Sequence, residues 1–384
     1  MSNRPFTVVL IVPTGVGASI GGYAGDALPV AKAIAQVCDT LITHPNVLNG
    51  AQLYWPIPNA LYVEGYGLDQ FAAGNWGLSP VRHNRVGLIL DGAIEADLQL
   101  RHLQAVDAVR ATLGLTLTDY VVTDAPLNVQ LQIADSGASW GTIGNPDSLL
   151  RAADALIHRG GANAIAVVAR FPDTEDSIAL ENYRLGQGVD PLAGAEAVIS
   201  HLIVKTFQIP CAHAPALSPL PLNPHISPRS AAEELGYTFL PCVLVGLSKA
   251  PQFITNIQES ITPSLSSIPK TSPKNRINGR QDAYPTVIYG DVSSTVWSNQ
   301  VDSVIIPATA CGGSAILSLS QFRDVQIIAV TENETQMKVT PEKLGIKAIQ
   351  VNSYLDAIGV LVAQRAGINP SALRPEISPS RHLP

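Results

Sequence analysis

Charged residues and cysteines are scarce in this sequence. Charged residues make up 14% of the 384 residues and apolar residues 46%, so much of the chain must be buried. The net charge of −7, without a dense basic stripe, excludes a typical nucleic-acid-binding surface. The four cysteines form no Cys-x-x-Cys pair, which argues against a disulfide framework or a zinc cage.

Long apolar runs are also absent. No run of eighteen apolar residues occurs, so we expect no membrane span. The first predicted strand begins at residue 7, which leaves no room for a signal or transit peptide, and we therefore expect a cytoplasmic protein. The low charged fraction favours a homo-oligomer, in which another subunit covers part of the surface.

Strand-like and helix-like segments alternate along the chain. Apolar, β-branched runs predict buried strands at residues 7–12, 85–90, 164–168, 303–307 and 325–330. Amphipathic or apolar runs predict helices at residues 95–113, 146–159, 192–207 and 353–366. This alternation predicts an α/β fold with a mostly parallel sheet or sheets, helices on both faces and two lobes around a cleft.

Composition divides the chain into four parts. Residues 263–285 are rich in serine and proline and have no apolar period, which is typical of a flexible linker or flap. We therefore predict a main α/β domain at 1–262, this linker at 263–285, a C-terminal α/β lobe at 286–370 and a Pro-rich tail at 371–384.

A glycine-rich loop follows the first predicted strand. Strand, glycine loop and helix start form the layout that holds phosphate or carboxylate groups on backbone N–H donors. A dinucleotide fingerprint is excluded because Ile20 stands at its third glycine position, and a Walker A loop because the loop has no lysine. We expect four of its glycines to contact a ligand, with a purely structural loop as the alternative: Gly15, Gly17, Gly21 and Gly22.

The segment DSVIIPATACGGSAILSLSQ, residues 302–321, carries the strongest chemical signal. Cys311 lies between a predicted strand and a predicted helix start at Gly312, Gly313 and Ser314, where unpaired N–H groups favour a thiolate and an anion. The alternative is a small buried cysteine beside glycines that allow close packing. Glu332 follows the next predicted strand and would emerge at the same sheet edge if the two strands are parallel neighbours.

Three further segments offer chemical groups. Cys211 and His213 stand two residues apart, so both can face one side of an extended segment; such a pair serves nucleophilic catalysis or, with more ligands, binds a metal. A structural histidine under a Pro-rich turn is the alternative. His44 and Asn46 follow a predicted strand, and Arg170 lies just beyond another, where a guanidinium can bind a carboxylate or phosphate or simply cap the loop.

Five segments of the chain resemble a family of unknown function found in cyanobacteria and plastid-bearing eukaryotes: VPTGVGASIGGYAGDALP, DTLITHPNVLNGAQLYWPIPNALYVEGYGLD, SGASWGTIGNPD, GYTFLPCVLVGLSKAPQF and TENETQMKVTPEKLG. This resemblance covers nearly the whole chain and implies no activity. The shorter segments TACGGSA and PCAHAP are similar to the cysteine motifs of the aspartate/glutamate racemases, although their order is reversed and Gly312-Gly313 replaces Asn-Thr. That similarity implies an isomerase in which the thiols of Cys311 and Cys211 flank one substrate carbon.

These patterns lead to one functional hypothesis with two alternatives. We expect a cytoplasmic enzyme that acts on a small anionic metabolite, a carboxylate or a phosphate, with catalytic groups from Cys311, Cys211, His213 and Glu332. The expected ligand-binding residues are Gly15, Gly17, Gly21, Gly22, His44, Asn46, Arg170, Gly312, Gly313 and Ser314. The alternatives are a non-catalytic ligand-binding or regulatory protein and a cysteine-dependent racemase-like isomerase. The patterns assign no metal and no cofactor.

Overall fold

The structure is a computed structural model of the chain. It describes residues 4–172, 178–218, 220–237, 239–255, 294–377 and 379. The predicted linker at 263–285 lies outside these residues, as does part of the predicted tail.

Strands occur along the whole described chain. Their bounds are β1 (Thr7–Leu10), β2 (Thr40–Thr43), β3 (Ala60–Tyr62), β4 (Trp76–Ser79), β5 (Val86–Leu90), β6 (Leu117–Val122), β7 (Val129–Ile133), β8 (Ser139–Ile143), β9 (Ala164–Arg170), β10 (Cys211–Ala216), β11 (Gln252–Thr255), β12 (Val301–Pro307), β13 (Gln326–Val330) and β14 (Ala348–Val351). Strands β1 and β5 are buried at every position, as expected for parallel strands that are covered on both faces.

Helices alternate with these strands. Their bounds are α1 (Leu28–Ala35), α2 (Pro45–Leu48), α3 (Ala51–Tyr54), α4 (Gly65–Ala72), α5 (Ala96–Leu113), α6 (Pro146–His158), α7 (Ile178–Arg184), α8 (Ala193–Phe207), α9 (Pro228–Ala232), α10 (Leu240–Ser248), α11 (Ser314–Leu319) and α12 (Tyr354–Arg365). A π-helical turn, Glu233–Tyr237, follows α9 directly. No helix in these described ranges is long and apolar enough to cross a membrane.

Two parallel sheets form the centre of the molecule. The larger has six strands in the order β14-β13-β12-β1-β2-β3, and the smaller has four in the order β10-β9-β5-β6. Within the larger sheet, the chain proceeds from β1 towards one edge and from β12 towards the other. This reversal creates a topological switch point at the carboxyl ends of β1 and β12, where ligands bind in open α/β sheets. The glycine loop follows β1, and the Cys311 segment follows β12.

The two sheets share their hydrophobic core. Leu10 of the larger sheet and Leu90 of the smaller belong to one cluster of buried side chains, and Val9 and Ile89 belong to another. Helix α8 packs on β10 of the smaller sheet and also on α4, which follows the edge strand β3 of the larger sheet. The packing of α8 on α4 therefore brings polar residues from both sheets together.

The predicted α/β class with mostly parallel sheets is confirmed. The helix predicted at 95–113 is observed as Ala96–Leu113, and the strand predicted at 164–168 as Ala164–Arg170. Strands from both predicted units, 1–262 and 286–370, pair in the same six-stranded sheet, because β12 lies directly beside β1. The division into those two units stays a prediction.

We predict that replacing Gly21 with alanine lowers the free energy of unfolding by about 3 kcal/mol. The backbone of Gly21 has φ +91°, and an added Cβ would lie 2.4 Å from Cγ1 of Val12, so both backbone strain and overlap oppose the substitution. Urea denaturation followed by circular dichroism measures the change.

Gly359→Ala is the matched control for this substitution. Gly359 is exposed within α12, and an added Cβ there meets no atom within 4 Å, so this change should leave stability unchanged or raise it slightly. Equal stabilities of the Gly21 and Gly359 variants would show that the loop tolerates side chains.

Candidate functional site

The glycine loop is held by oxygen atoms of the chain itself. The N–H of Ile20 donates to Oδ1 of Asn333 at 2.8 Å, and the N–H of Gly21 donates to Oδ1 of Asp26 at 2.7 Å. The N–H of Ala24 donates to Oε2 of Glu233 at 2.8 Å. These donors would have been suited to an anion, but each already has an internal acceptor.

The predicted ligand-contacting glycines have close contacts with other parts of the chain. An added Cβ on Gly17 would lie 2.8 Å from the carbonyl oxygen of Gly188, and one on Gly15 would lie 2.5 Å from Oγ of Ser139. One on Gly22 would lie 2.2 Å from the carbonyl oxygen of Ala18. Close packing therefore requires glycine at these positions whether or not a ligand is bound.

The side chains of His44 and Asn46 form hydrogen bonds with backbone groups at this loop. Nε2 of His44 accepts the N–H of Val12 at 3.1 Å, and burial lowers the pKa of the imidazole to about 4, so it is neutral. The side-chain amide of Asn46 donates to the carbonyl oxygen of Gly21 at 2.9 Å. Both residues lie beside the glycine loop as expected, but their hydrogen bonds position the backbone.

The other predicted anion-binding groups already hold carboxylates. Nε of Arg170 lies 3.0 Å from Oε2 of Glu95 in an ion pair. At the start of α11, the carboxyl group of Asp69 accepts hydrogen bonds from the N–H of Ala315 and the side chain of Ser314. Gly312 and Gly313, directly before this helix, are exposed. Glu95 therefore occupies the predicted anion-binding position at Arg170, and Asp69 occupies the one at the start of α11.

The predicted catalytic cysteines are fully buried thiols. Cys311 is 0% exposed and Cys211 1% exposed, and burial raises the pKa of Cys311 to about 11 and that of Cys211 well above its ordinary value. The structure therefore does not support a Cys311 thiolate or a two-thiol isomerase. Glu332 is exposed and accepts the N–H of Tyr354 at the start of α12, at 3.0 Å.

His213 is the predicted catalytic residue that the structure places among other chemical groups. It lies on β10 and faces α8, where Nδ1 of its ring is 3.2 Å from Oγ of Ser200. On its other side, Nε2 is 3.6 Å from Oε2 of Glu196, one helical turn before Ser200. A hydroxyl group and a carboxylate thus flank the two nitrogens of one imidazole.

Glu64 extends this arrangement towards the larger sheet. It follows β3, and its Oε2 caps α4 by accepting the N–H groups of Tyr66 and Gly67. Its Oε1 lies 3.5 Å from Oγ of Ser200 and 3.1 Å from Nε2 of His201. Burial raises the pKa of Glu64 to about 8, and burial together with the neighbouring His213 lowers the pKa of His201 to about 4.

A second group of carboxyls lies at the Glu196 end. Glu233, from the π-helical turn, accepts the hydroxyl of Tyr183 at 2.7 Å, and burial raises its pKa to about 7. Asp190 accepts the N–H of Leu192 at 2.8 Å, and burial followed by the charges of Glu233 and Glu196 raises its pKa well above its ordinary value. Among the described residues, no lysine or arginine forms an ion pair with Glu196, Glu233 or Asp190.

We call the connected residues His201, Glu64, Ser200, His213 and Glu196 the polar chain. Glu64 in this chain is suited to accepting and donating a proton near neutral pH, because burial raises its pKa to about 8. No group of three or more His, Cys, Asp or Glu side chains in the described ranges is arranged to hold a metal ion. Two surface grooves, of about 520 and 320 Å³, lie elsewhere, beside α6 and between α5 and β6.

The fold and this site define an α/β protein with two parallel sheets and a buried polar chain between them. The chain belongs to the DUF3326 family of proteins of unknown function, whose sequence profile matches residues 7–374. A Synechococcus sp. protein described as an uncharacterized lipoprotein is 56% identical over 378 residues, which cover 98% of this chain and 95% of that protein. No solved structure matches this chain.

The comparisons confirm the resemblance to a family of unknown function with a cyanobacterial member. His213 is the only member of the polar chain that the sequence patterns predict as a site residue. Glu196 and Ser200 are four residues apart in a helix that was predicted at 192–207, so they share a face with each other. That spacing was the available signal, but Glu64 comes from a distant segment and its burial had no local signature.

We predict that iodoacetamide at neutral pH labels none of the four cysteines rapidly while the protein is folded. Burial raises the pKa of Cys38 to about 12 and those of Cys242 and Cys311 to about 11, and it raises that of Cys211 as well. Neutral, inaccessible thiols react slowly. Peptide mass spectrometry measures the labelling, with urea-unfolded protein as the control that labels at every cysteine. Fast modification of folded Cys311 would restore the sequence-based hypothesis of a thiolate there.

We also predict a specific pH dependence of stability from Glu64. Its pKa in the folded protein is about 8, against an ordinary value of 4.5, so the folded chain binds more protons than the unfolded chain between these values. The stabilisation from this proton is complete below pH 4.5 and is lost as the pH rises through about 8. Denaturation of the wild type and Glu64→Gln across this interval should show a smaller decline for the variant.

Glu332→Gln is the control for this comparison. Glu332 also accepts a helix N-terminal N–H, but it is exposed, so its variant should follow the wild-type pH dependence. Identical profiles for wild type and Glu64→Gln would contradict the burial of a protonated carboxyl.

Proposed function

We propose that this protein is an enzyme that performs acid–base chemistry on a small neutral or cationic molecule, with His213 and Glu196 as the groups that exchange protons with it. The observation that carries the proposal is the position of His213, with a hydroxyl group at Nδ1 and a carboxylate at Nε2. A base oriented by a carboxylate on one side is the arrangement that general acid–base catalysis requires.

Accessibility favours proton transfer over covalent catalysis. The side chains of His213 and Glu196 are 22% and 16% exposed, whereas Ser200 is only 2% exposed within α8. A serine nucleophile must reach the substrate carbon, but the imidazole and carboxylate are the groups that remain accessible here. Ser200 therefore acts on His213 and does not attack the substrate.

Charge favours a neutral or cationic ligand. Glu196, Asp190 and Glu233 lie close enough for each to affect another's protonation, and a further negative charge beside them would be repelled. The internal carboxylates on Arg170 and at the start of α11 support the same conclusion. The anionic metabolite, cytoplasmic location and homo-oligomer expected from the sequence stay predictions.

Deuterium uptake from solvent tests this proposal. We would incubate the protein in D₂O with a low-molecular-weight extract of cyanobacterial cells and identify compounds that gain carbon-bound deuterium by mass spectrometry. We expect uptake into a neutral or cationic compound, reduced about 100-fold in His213→Gln and Glu196→Gln, because general acid–base catalysis contributes at least that factor.

His158→Gln is the matched control for the two site variants. Nε2 of His158 lies 3.4 Å from Oδ1 of Asp154 on the surface of α6, so this variant removes a similar imidazole–carboxylate pair away from the site and should keep full activity. Uptake into anionic compounds alone would contradict the proposed ligand charge. Binding of an extracted compound without deuterium uptake or other conversion would favour the non-catalytic alternative.

A further inference from the structure

The geometry points to a proton relay in which Glu64 and Ser200 connect the solvent-facing imidazole of His201 to Nδ1 of His213. This inference rests on the proposed function, because the relay would supply or remove the proton that His213 exchanges with its ligand. It adds three residues to the site, from α8 and from the segment between β3 and α4.

The distances connect the four residues in sequence. Nε2 of His201 is 3.1 Å from Oε1 of Glu64, and that oxygen is 3.5 Å from Oγ of Ser200. Oγ of Ser200 is 3.2 Å from Nδ1 of His213. The first and last separations are within the range of a hydrogen bond, whereas the middle one is longer than a normal O–H···O bond, so Glu64 and Ser200 must approach each other for the proton to pass.

One end of the relay, His201, is exposed to solvent, and the other end, His213, lies at the proposed site. The side chain of His201 is 39% exposed, whereas that of Glu64 is only 4% exposed. Glu64 therefore reaches solvent protons through His201. Because burial raises the pKa of Glu64 to about 8, its carboxyl group holds a proton at neutral pH and can give it to Ser200.

Ser200, Glu64 and His201 each end the transfer with as many protons as they had at its start. As the His213 ring gives its Nε2 proton to the ligand, its Nδ1 takes the hydroxyl proton of Ser200, so the ring stays neutral. Ser200 is reprotonated by the carboxyl group of Glu64. Glu64 takes the Nε2 proton of the neutral His201 ring as Nδ1 of that ring takes a proton from hydronium in the solvent, so the imidazole stays neutral. The net change is the movement of one proton from solvent to the ligand through His213.

Other groups near Glu64 leave this path in place. Asp69 and Cys211 are ionisable groups near Glu64 outside the polar chain, and the Cys211 thiol stays protonated because burial raises its pKa. The backbone N–H groups of Tyr66 and Gly67 bind Oε2 of Glu64 and leave Oε1 facing Ser200 and His201. Ser200 also contacts the carbonyl oxygen of Ala197 at 3.3 Å, which is the competing acceptor for its proton.

Histidine ring signals in a pH titration by nuclear magnetic resonance test the relay without any substrate. In the wild type, we expect the signals of both His201 and His213 to show an inflection near pH 8, where Glu64 titrates. Glu64→Gln should remove this inflection from both histidines. Ser200→Ala should remove it from His213 and leave it on His201, because the hydroxyl is the only link that this variant deletes.

Ser248→Ala is the matched control. Ser248 is a buried serine of α10 that donates to the carbonyl oxygen three residues earlier, Val245, as Ser200 does to Ala197, and it should leave both inflections unchanged. Persistence of the His213 inflection in Ser200→Ala would overturn the relay, since Glu64 would then act on His213 through space. Absence of the inflection from His213 in the wild type would overturn it as well.

The titration tests the relay and the deuterium experiment tests the enzyme proposal, so either claim can be contradicted while the other is retained. Loss of the His213 inflection in Ser200→Ala, with the His201 inflection kept and no deuterium uptake, would retain the hydrogen-bonded path and contradict the enzyme proposal. Deuterium uptake that requires His213, together with a His213 titration independent of Glu64, would retain the enzyme and contradict the relay.

Discussion

Burial of carboxyl groups that form no ion pair with a lysine or arginine of the described residues is the constraint on which this site depends. Glu64 lies between the two parallel sheets, where α4 packs against α8, and its acceptors and donors are backbone N–H groups, a serine and a histidine. Desolvation disfavours the charged form of such a group, so the carboxyl keeps its proton at a pH at which exposed glutamates are ionised. Proton sharing with Ser200 and His201 takes the place of an ion pair.

The same chain uses carboxyl groups elsewhere to fill positions that otherwise attract anions. Glu95 binds Arg170, and Asp69 binds the start of α11. The glycine loop is likewise bound by Asn333 and Asp26. The contacts of Asp69, Asn333 and Asp26 lie at the switch point of the larger sheet, whereas the Arg170–Glu95 pair lies at the smaller sheet.

Periodicity predicted the sheet class and, within one residue, the bounds of the four longest helices, because the strands are short apolar runs and helices such as α5 and α6 are punctuated by glycine and proline. It did not predict that β12 would join β1 across more than two hundred residues, since pairing is a tertiary property. The polar chain was found only at His213. Its other members come from α8 and from the turn after β3, and the raised pKa of Glu64 and the lowered pKa of His201 arise from burial that no local sequence pattern encodes. The place of Cys311 before a helix favours a thiolate, but burial raises the pKa of this thiol and outweighs the effect of the helix, which has only six residues.

Infrared difference spectroscopy tests most directly whether Glu64 is buried in its protonated form. At pH 7, the spectrum of the wild type minus that of Glu64→Gln should contain the carbonyl stretching band of a protonated carboxylic acid. The band should disappear as the pH is raised well beyond about 8, the pKa to which burial raises this group. A difference spectrum at pH 7 that contains only the bands of an ionised carboxylate would contradict the protonated state on which the proposed chemistry of the site is built.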